Sequence, residues 1–262
     1  MDKRIAHYKK TIDKWIKNRH DRILIAAGGT NDRKIFKELG FVNVTISNIA
    51  AGLNKKEFLP YEWSCQDAEN LSFADNFFDF VVVHAALHHC RSPHRALLEM
   101  YRVAKKGIII FESRDSFIMK IIVCLGLTET YEHVNVYYHS CKQGGLRNTD
   151  IPNFVYRWTE SEIEKTISSY APFAPHRFFY SYSHDSPCTP IRRKKGNYKV
   201  FLVNLARPFY YLFSKIFPKQ QNLFACFIEK PNLEKNHFKW LKYRDDRLTF
   251  NKEWAENYYK KP

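Results

Sequence analysis

Ile23-Leu24-Ile25-Ala26-Ala27-Gly28-Gly29-Thr30-Asn31-Asp32 is an apolar run that breaks into a glycine turn and then enters Lys34-Ile35-Phe36-Lys37-Glu38-Leu39-Gly40, a helix-like segment. A buried parallel strand feeding a tight turn places the N–H groups of the next helix at the strand's C-terminal edge. Open α/β sheets bind their ligands at that edge, and the geometry suits a nucleotide-like one. Two glycines after a strand also occur as a plain strand-to-helix turn, so the stretch settles the local fold and leaves the ligand open.

The same rhythm continues outward. Upstream, Ile5, Tyr8, Ile12, Trp15 and Ile16 recur at helical spacing over residues 3–19, an amphipathic entry helix. Downstream, Gly40 suits a left-handed cap, and Val42 to Ser47 is a β-branched strand. Phe78-Asp79-Phe80-Val81-Val82-Val83-His84 is apolar enough for a central parallel strand, Pro93 to Val103 is a helix, and Gly107 to Glu112 is the next strand. Strands alternating with helices at these intervals predict a doubly wound, mostly parallel sheet. Beyond Glu112 the alternation stops. An apolar piece, Phe117 to Leu127, precedes a segment crowded with tyrosine and histidine, and Thr159 with Glu162 forms a capping-box pattern that opens a helix ending at Pro172. His176 to Ser183 alternates like a strand, a loop at 184–197 follows, and an aromatic helix near Tyr198 to Phe217 should be interrupted at Pro208. Leu223 to Glu229 is a last strand.

The 262 residues carry a net charge of +15, unevenly placed. Residues 1–22 hold 8 Lys and Arg against 3 Asp and Glu, residues 191–262 hold 17 against 6, and the middle is nearly neutral at 17 against 18. The basic ends therefore lie outside the ligand-binding unit. Such ends favour anionic partners or simply solubility. Six cysteines lack any Cys-x-x-Cys pair, which points to a reducing cytoplasm and to no metal centre. The N-terminus has no apolar signal-peptide core, and no segment approaches ~20 uninterrupted apolar residues. The expected organisation is a basic helix at 1–22, a core at 23–183 with an insertion at about 113–158, and a basic extension at 184–262 packed on the same body.

The order strand, glycine turn, helix, strand, Asp67-Ala68-Glu69-x-Leu71, Phe78-Asp79-Phe80-Val81, Leu87-His88-His89 resembles the class I S-adenosylmethionine-dependent methyltransferases, over roughly residues 20–112. The resemblance implies a Rossmann-like seven-stranded sheet with a lid insertion, and S-adenosylmethionine as cofactor. It implies that Asp67 accepts a hydrogen bond from the adenine amino group, that the Ala68 N–H meets a ring nitrogen, and that Ala27, Gly28, Gly29 and His84 belong to the cofactor site.

The family's glycine loop usually reads acid-x-Gly-x-Gly-x-Gly, whereas the corresponding positions here are Ile25, Ala27, Gly29 and Asn31. Ala27 replaces a glycine without strain only at negative φ, and Asn31 tolerates positive φ. With Ile25 in place of the acid, Asp32 or Asn31 would have to hold the methionine end. Ser47 and Asn48 stand where an acid usually grips the ribose hydroxyls. An uncharged Asn makes weaker hydrogen bonds than a carboxylate, so the expected cofactor affinity is below that of the family at large.

Methyl transfer from a sulfonium is an in-line displacement, in which the protein aligns the reactants and removes the acceptor's proton. His88 and His89 are the candidate bases, with Glu112 as a base or as a partner that orients one of them. Arg114, Tyr137, Tyr138, His139, Arg147 and Arg157 are the candidate acceptor contacts: aromatic faces for a sugar or base, and arginine forks for phosphate. The expectation is O-methylation of a phosphorylated, nucleotide-linked or lipid-linked carbohydrate, in polysaccharide synthesis. The alternatives are methylation of RNA or a small metabolite, and a non-catalytic scaffold at a membrane. RNA is less favoured because no recognisable nucleic-acid module is present. The aromatic helix with basic flanks suits peripheral contact with an anionic membrane. Neither the oligomeric state nor the placement of the last thirty residues follows from these patterns.

Overall fold

A computed structural model describes residues 3–50, 52–184, 198–245 and 247–260, without the side chains of 198–203. Most of the loop expected at 184–197 lies outside the described residues. Seven strands form the sheet, six running in one direction and one reversed. In chain order they are β1 (Ile23–Ala26), β2 (Val44–Asn48), β3 (Glu62–Cys65), β4 (Phe78–His84), β5 (Ala104–Ser113), β6 (Arg177–Ser183) and β7 (Leu223–Glu229). The spatial order is β3-β2-β1-β4-β5-β7-β6, with β7 antiparallel to both β5 and β6. The chain starts at β1 in the middle, winds outward to β3, then crosses back to β4. The order therefore reverses between β1 and β4, and this switch point opens a crevice at the strands' C-terminal ends.

The continuous apolar runs of β1 and β4 lie where an all-parallel centre needs them, covered on both faces. One face carries α1 (Lys3–Trp15) and α2 (Thr30–Glu38), whose Tyr8, Ile12 and Phe36 are buried with Ile25 and Val82. The other carries α3 (Pro93–Val103) and α6 (Glu160–Tyr170), burying Leu97, Met100, Ile163 and Ile167 against Val81 and Ile110. Each such aliphatic side chain contributes about 1.5 to 3 kcal/mol when fully withdrawn from water. The α6 capping box forms as the sequence predicts, with the Thr159 hydroxyl accepting from the Glu162 N–H and the Glu162 carboxylate accepting from the Thr159 N–H. Gly40 takes the left-handed cap, with φ of 77°.

Three elements depart from the sequence reading. The edge strand β3 gave no signal, because its four residues are all at least partly exposed and carry no apolar run. Strand β2 begins two residues later than expected, leaving Val42 exposed. Pro208 lies inside a continuous helix, α7 (Tyr198–Ile216), rather than interrupting it. The insertion after β5 contains α4 (Phe117–Cys124) and α5 (His133–Tyr138). The C-terminal segment forms the hairpin β8 (Leu241–Arg244) and β9 (Arg247–Phe250), followed by α8 (Lys252–Tyr259). There Trp240 stacks on Phe238 (4.3 Å) and Trp254 on Tyr258 (4.8 Å), with the two indole rings 5.9 Å apart.

Candidate active site

A cavity of about 230 Å³ opens at the switch point. Its core walls are Ala27 after β1, Asn48 at the end of β2, Gln66 to Glu69 after β3, and Ala86, His89 and Cys90 after β4. The lid insertion closes it with Asn135, His139, Gly144, Gly145, Arg147 and Asn148. A larger open cleft, about 1020 Å³, lies beside Tyr101, Lys106 and Lys230 at the N-terminal ends of the strands. Parallel sheets seldom bind ligands at that end, so the smaller cavity is the candidate.

The glycine turn is built around Gly28. A Cβ there would lie 2.6 Å from Ile25 Cγ2 and 3.0 Å from Ile46 Cγ2, so only glycine lets β1 turn tightly against β2. Its N–H donates to the Ser47 carbonyl (2.8 Å), and its carbonyl accepts from the Asn48 amide (3.1 Å). Gly29 is the N-cap of α2, in extended backbone. Ala27 has φ of +51°, so the negative φ that would let alanine replace glycine freely is not what the turn adopts. Asn31 sits within α2, where its tolerance of positive φ is not used.

Several expected cofactor contacts lie outside the cavity. Asp32 is buried under α1, where it accepts from the Tyr8 hydroxyl (2.8 Å) and the Gly29 N–H (2.8 Å). Burial raises its pKa, against the lowering effect of these hydrogen bonds. The ring of His84 stacks on Tyr8 at 4.3 Å. Ser47 is buried and donates to the Ile25 carbonyl. Helix α1 takes up two of these groups, Asp32 and His84, through Tyr8, while Ser47 is taken up by β1. Asn48 does line the cavity, but its amide already bonds Gly28 and its carbonyl accepts from Ala50 (3.1 Å). One N–H and one lone pair are left for a ligand.

The histidines form a network with two carboxylates. Glu112, at the end of β5, accepts from the Ala86 and Leu87 N–H groups (2.9 and 2.8 Å) and meets His88 Nδ1 at 2.9 Å. Glu132, from the lid, lies 3.4 Å from both His88 Nε2 and His89 Nε2. His89 Nδ1 faces the Gly145 carbonyl at 3.3 Å. Burial alone would lower the pKa of His88, but the two carboxylates outweigh it and raise it to about 9. His89 is lowered, first by burial and then by the charge on His88. His88 is therefore the charged member and His89 the neutral one, and only His89 lines the cavity. Glu112 holds His88 and does not reach the cavity. No spacing in the sequence revealed Glu132, because it lies 43 residues along the chain from His89 and only the fold of the lid brings it back. The donor atoms of His88, His89 and Glu132 lie within 4.8 Å of one another, a spacing that admits a cation, although no metal-ligand pattern shows in the sequence.

At the opposite end of the cavity, Arg147 bridges Asp67 (2.9 Å) and Glu69 (3.0 Å). Glu69 in turn accepts from the Arg91 and Ser92 N–H groups at the start of α3. The other arginines are committed elsewhere. Arg114 forms a two-pronged pair with Glu160 (3.0 and 2.8 Å), and Arg157 donates to the Glu129 and Val155 carbonyls. Tyr137 and Tyr138 are exposed on α5 and edge onto each other outside the cavity, while His139 lines it.

These residues fit an adenosyl cofactor. Asp67 offers a carboxylate beside Ala68, and Asn48 retains hydrogen-bonding capacity. At about 230 Å³ the cavity is below the ~300 Å³ at which ligand pockets usually begin, and Arg147 is one of its walls.

Residues 25–111 match the family model of a methyltransferase domain. The ubiquinone/menaquinone biosynthesis C-methyltransferase UbiE of Neisseria meningitidis is 36% identical over 99 residues, covering 33% of this chain and 40% of that protein. Its counterpart in Chromobacterium violaceum is 34% identical over 112 residues, covering 38% and 45%. The chain thus spans less than half the length of these relatives. Among solved structures, a protein of Pyrococcus horikoshii aligns with a TM-score of 0.51 at 13% identity, covering 87% of this chain and 90% of that one. A SAM-dependent methyltransferase of Archaeoglobus fulgidus aligns with a TM-score of 0.50 at 12% identity, covering 86% and 94%. With the strand order and the matched segment together, residues 25–111 belong to the class I S-adenosylmethionine-dependent methyltransferase family, whose cofactor is S-adenosylmethionine.

Proposed function

We propose that this protein transfers a methyl group from S-adenosylmethionine to a hydroxyl of a small, carbohydrate-like acceptor. The observation that carries the reading is that one cavity is lined both by Asp67, Ala68 and Asn48 and by His89. The cofactor, when bound, supplies an electrophilic methyl on a sulfonium. What the chain contributes is position and a proton acceptor. Asp67 and Asn48 hold the nucleoside, and the turn at Gly28 sets its depth. His89 donates its Nδ1–H to the Gly145 carbonyl, which orients the ring, and takes the acceptor's proton at Nε2, where the nearby Glu132 carboxylate favours the imidazolium that forms. His88, held charged by Glu112, supports the neutral state of His89 and is not the base. The amides of Asn135 and Asn148 give the lid neutral hydrogen-bonding groups, which suit hydroxyls better than a phosphate. With Arg114 and Arg157 paired elsewhere, the acceptor's anionic group is not part of this reading. The five described free thiols support a reducing compartment, and the segment at 186–222 before β7, with eight Lys and Arg and no Asp or Glu, supports work against a membrane.

Calorimetric titration with S-adenosylhomocysteine tests the cofactor end. One-to-one binding should weaken at least tenfold in Asp67→Ala. His89→Gln should keep that affinity and lower kcat by about 10² to 10⁴-fold, the range for loss of a general base. A folded protein that gives no heat with the ligand would favour the scaffold reading. The UbiE relatives favour a second reading, methylation at carbon of a quinol-like ring. The position of the new methyl in the product, read by NMR, separates the two.

A further inference from the structure

We infer that α4 and the C-terminal part of α7 form one platform that docks this protein on an anionic lipid bilayer, beside the mouth of the active site. Phe117 and Ile121 of α4, with Leu125 just after it, are 69%, 43% and 56% exposed. Phe209, Leu212 and Ile216 of α7 are 71%, 61% and 64% exposed. Soluble surfaces carry single exposed apolar residues, but two neighbouring helices that both turn such rows outward mark an interaction surface.

Hydrogen bonds around Gln220 join the two helices. Its side-chain carbonyl accepts from the Ile118 N–H (3.3 Å), and its backbone carbonyl accepts from the hydroxyls of Ser116 (3.3 Å) and Tyr210 (3.3 Å). The neighbouring Gln221 amide donates to the Ser214 carbonyl at 3.0 Å. The platform's base is Arg114, at the end of β5, which donates to the Lys219 carbonyl and pairs with Glu160. It therefore stands two residues from Glu112, on the edge of the sheet where the cavity opens.

Charge selects the occupant. No Asp or Glu occurs between Asp185 and Glu229, a stretch that carries eight Lys and Arg. Lys120, within α4, is paired with Asp115 at 3.5 Å, so the charge that selects the occupant is that of Arg207, Lys215 and Lys219, which flank the exposed row of α7. Lys215 Nζ lies 4.6 Å from the Tyr211 ring centre, a cation–π contact that holds this charge against the partly exposed aromatic surface of α7. Apolar and aromatic side chains with basic neighbours, and with no acid on α7, match the interface of an anionic bilayer, and a second copy of so basic a surface would repel the first. No helix of the described residues is long and apolar enough to cross a membrane, so the platform lies on the bilayer. Resting on the methyl-transfer reading, the acceptor would then be lipid-anchored, with its hydroxyl presented at headgroup level.

The test is flotation of the full chain, without cofactor, on phosphatidylcholine vesicles with and without phosphatidylglycerol. The proposal expects binding only when phosphatidylglycerol is present, lowered at least tenfold by Phe209→Ser with Leu212→Ser and by Lys215→Glu with Lys219→Glu. Lys252→Glu, on the distant α8, should leave it unchanged. Phe209→Trp should show blue-shifted emission on the anionic vesicles, a readout of insertion that needs no destabilising change. Absence of binding, or binding indifferent to both double variants, overturns the proposal, as does a dimer in sedimentation that Phe209→Ser with Leu212→Ser dissolves. Salt-sensitive retention on RNA without vesicle binding would also overturn it. Because S-adenosylhomocysteine affinity is measured separately, failure here leaves the cofactor reading standing.

Discussion

Ala27 and Ala85 each follow a central strand, β1 and β4, and each has positive φ, +51° and +52°. A left-handed alanine costs roughly 1 to 2 kcal/mol, and glycine gives part of that back through its freer unfolded chain. Ala27→Gly should therefore stabilise the fold by about 0.5 to 1 kcal/mol, measurable as a rise in urea midpoint at constant m-value. His88 provides a second residue-scale prediction. Its folded pKa is raised to about 9 from an ordinary 6.5, so its contribution to stability is complete below about pH 6.5 and is lost as pH rises through 9. Acting alone, such a shift is worth on the order of 3 kcal/mol. Unfolding free energy should fall between pH 6.5 and 9 in the wild type and stay flatter in His88→Gln. An unchanged slope in that variant would show that the Glu112 and Glu132 contacts do not hold the proton. At this scale Asp67, His88 and His89 were legible because they lie within a short, family-like run of sequence. The division of roles between the two histidines was not, since it depends on a carboxylate from a distant loop.

At the scale of elements, the strands and helices that bury one continuous face were readable from their periodicity, and the capping box placed α6 to the residue. The exceptions have physical causes. The four partly exposed residues of β3 offer no apolar pattern, and Pro208 is tolerated within α7 because the neighbouring helical turns continue around it. The lid segment around Arg147 was legible only as a collection of residue types. In the fold it becomes a strap, with Arg147 and Asn148 both at positive φ and the guanidinium resting on Asp67 and Glu69. A ligand amino group at Asp67 has to share that carboxylate with Arg147. The pair is partly exposed and worth up to about 1 kcal/mol. Arg147→Ala should accordingly tighten S-adenosylhomocysteine binding by up to about fivefold and speed limited proteolysis within residues 113–158. Weaker binding in the variant would mean that Arg147 contacts the ligand instead of guarding the site.

At the scale of the molecule, the sequence by itself determined the winding of the sheet, the edge at which a ligand binds and the family of residues 25–111. Each of these follows from local alternation and from short runs of residues that the backbone keeps together. It also determined the basic ends, since charge is a sum over composition. Only the tertiary structure decided that α1 takes up Asp32 and His84, that the arginines expected to hold phosphate are already paired, and that Glu132 completes the histidine network. It also left apolar residues exposed on α4 and α7, two helices that hydrogen bonds join through Gln220. Those outcomes depend on which distant segments pack together, and a polar or apolar side chain commits to its nearest partner in space, which its sequence neighbours do not specify.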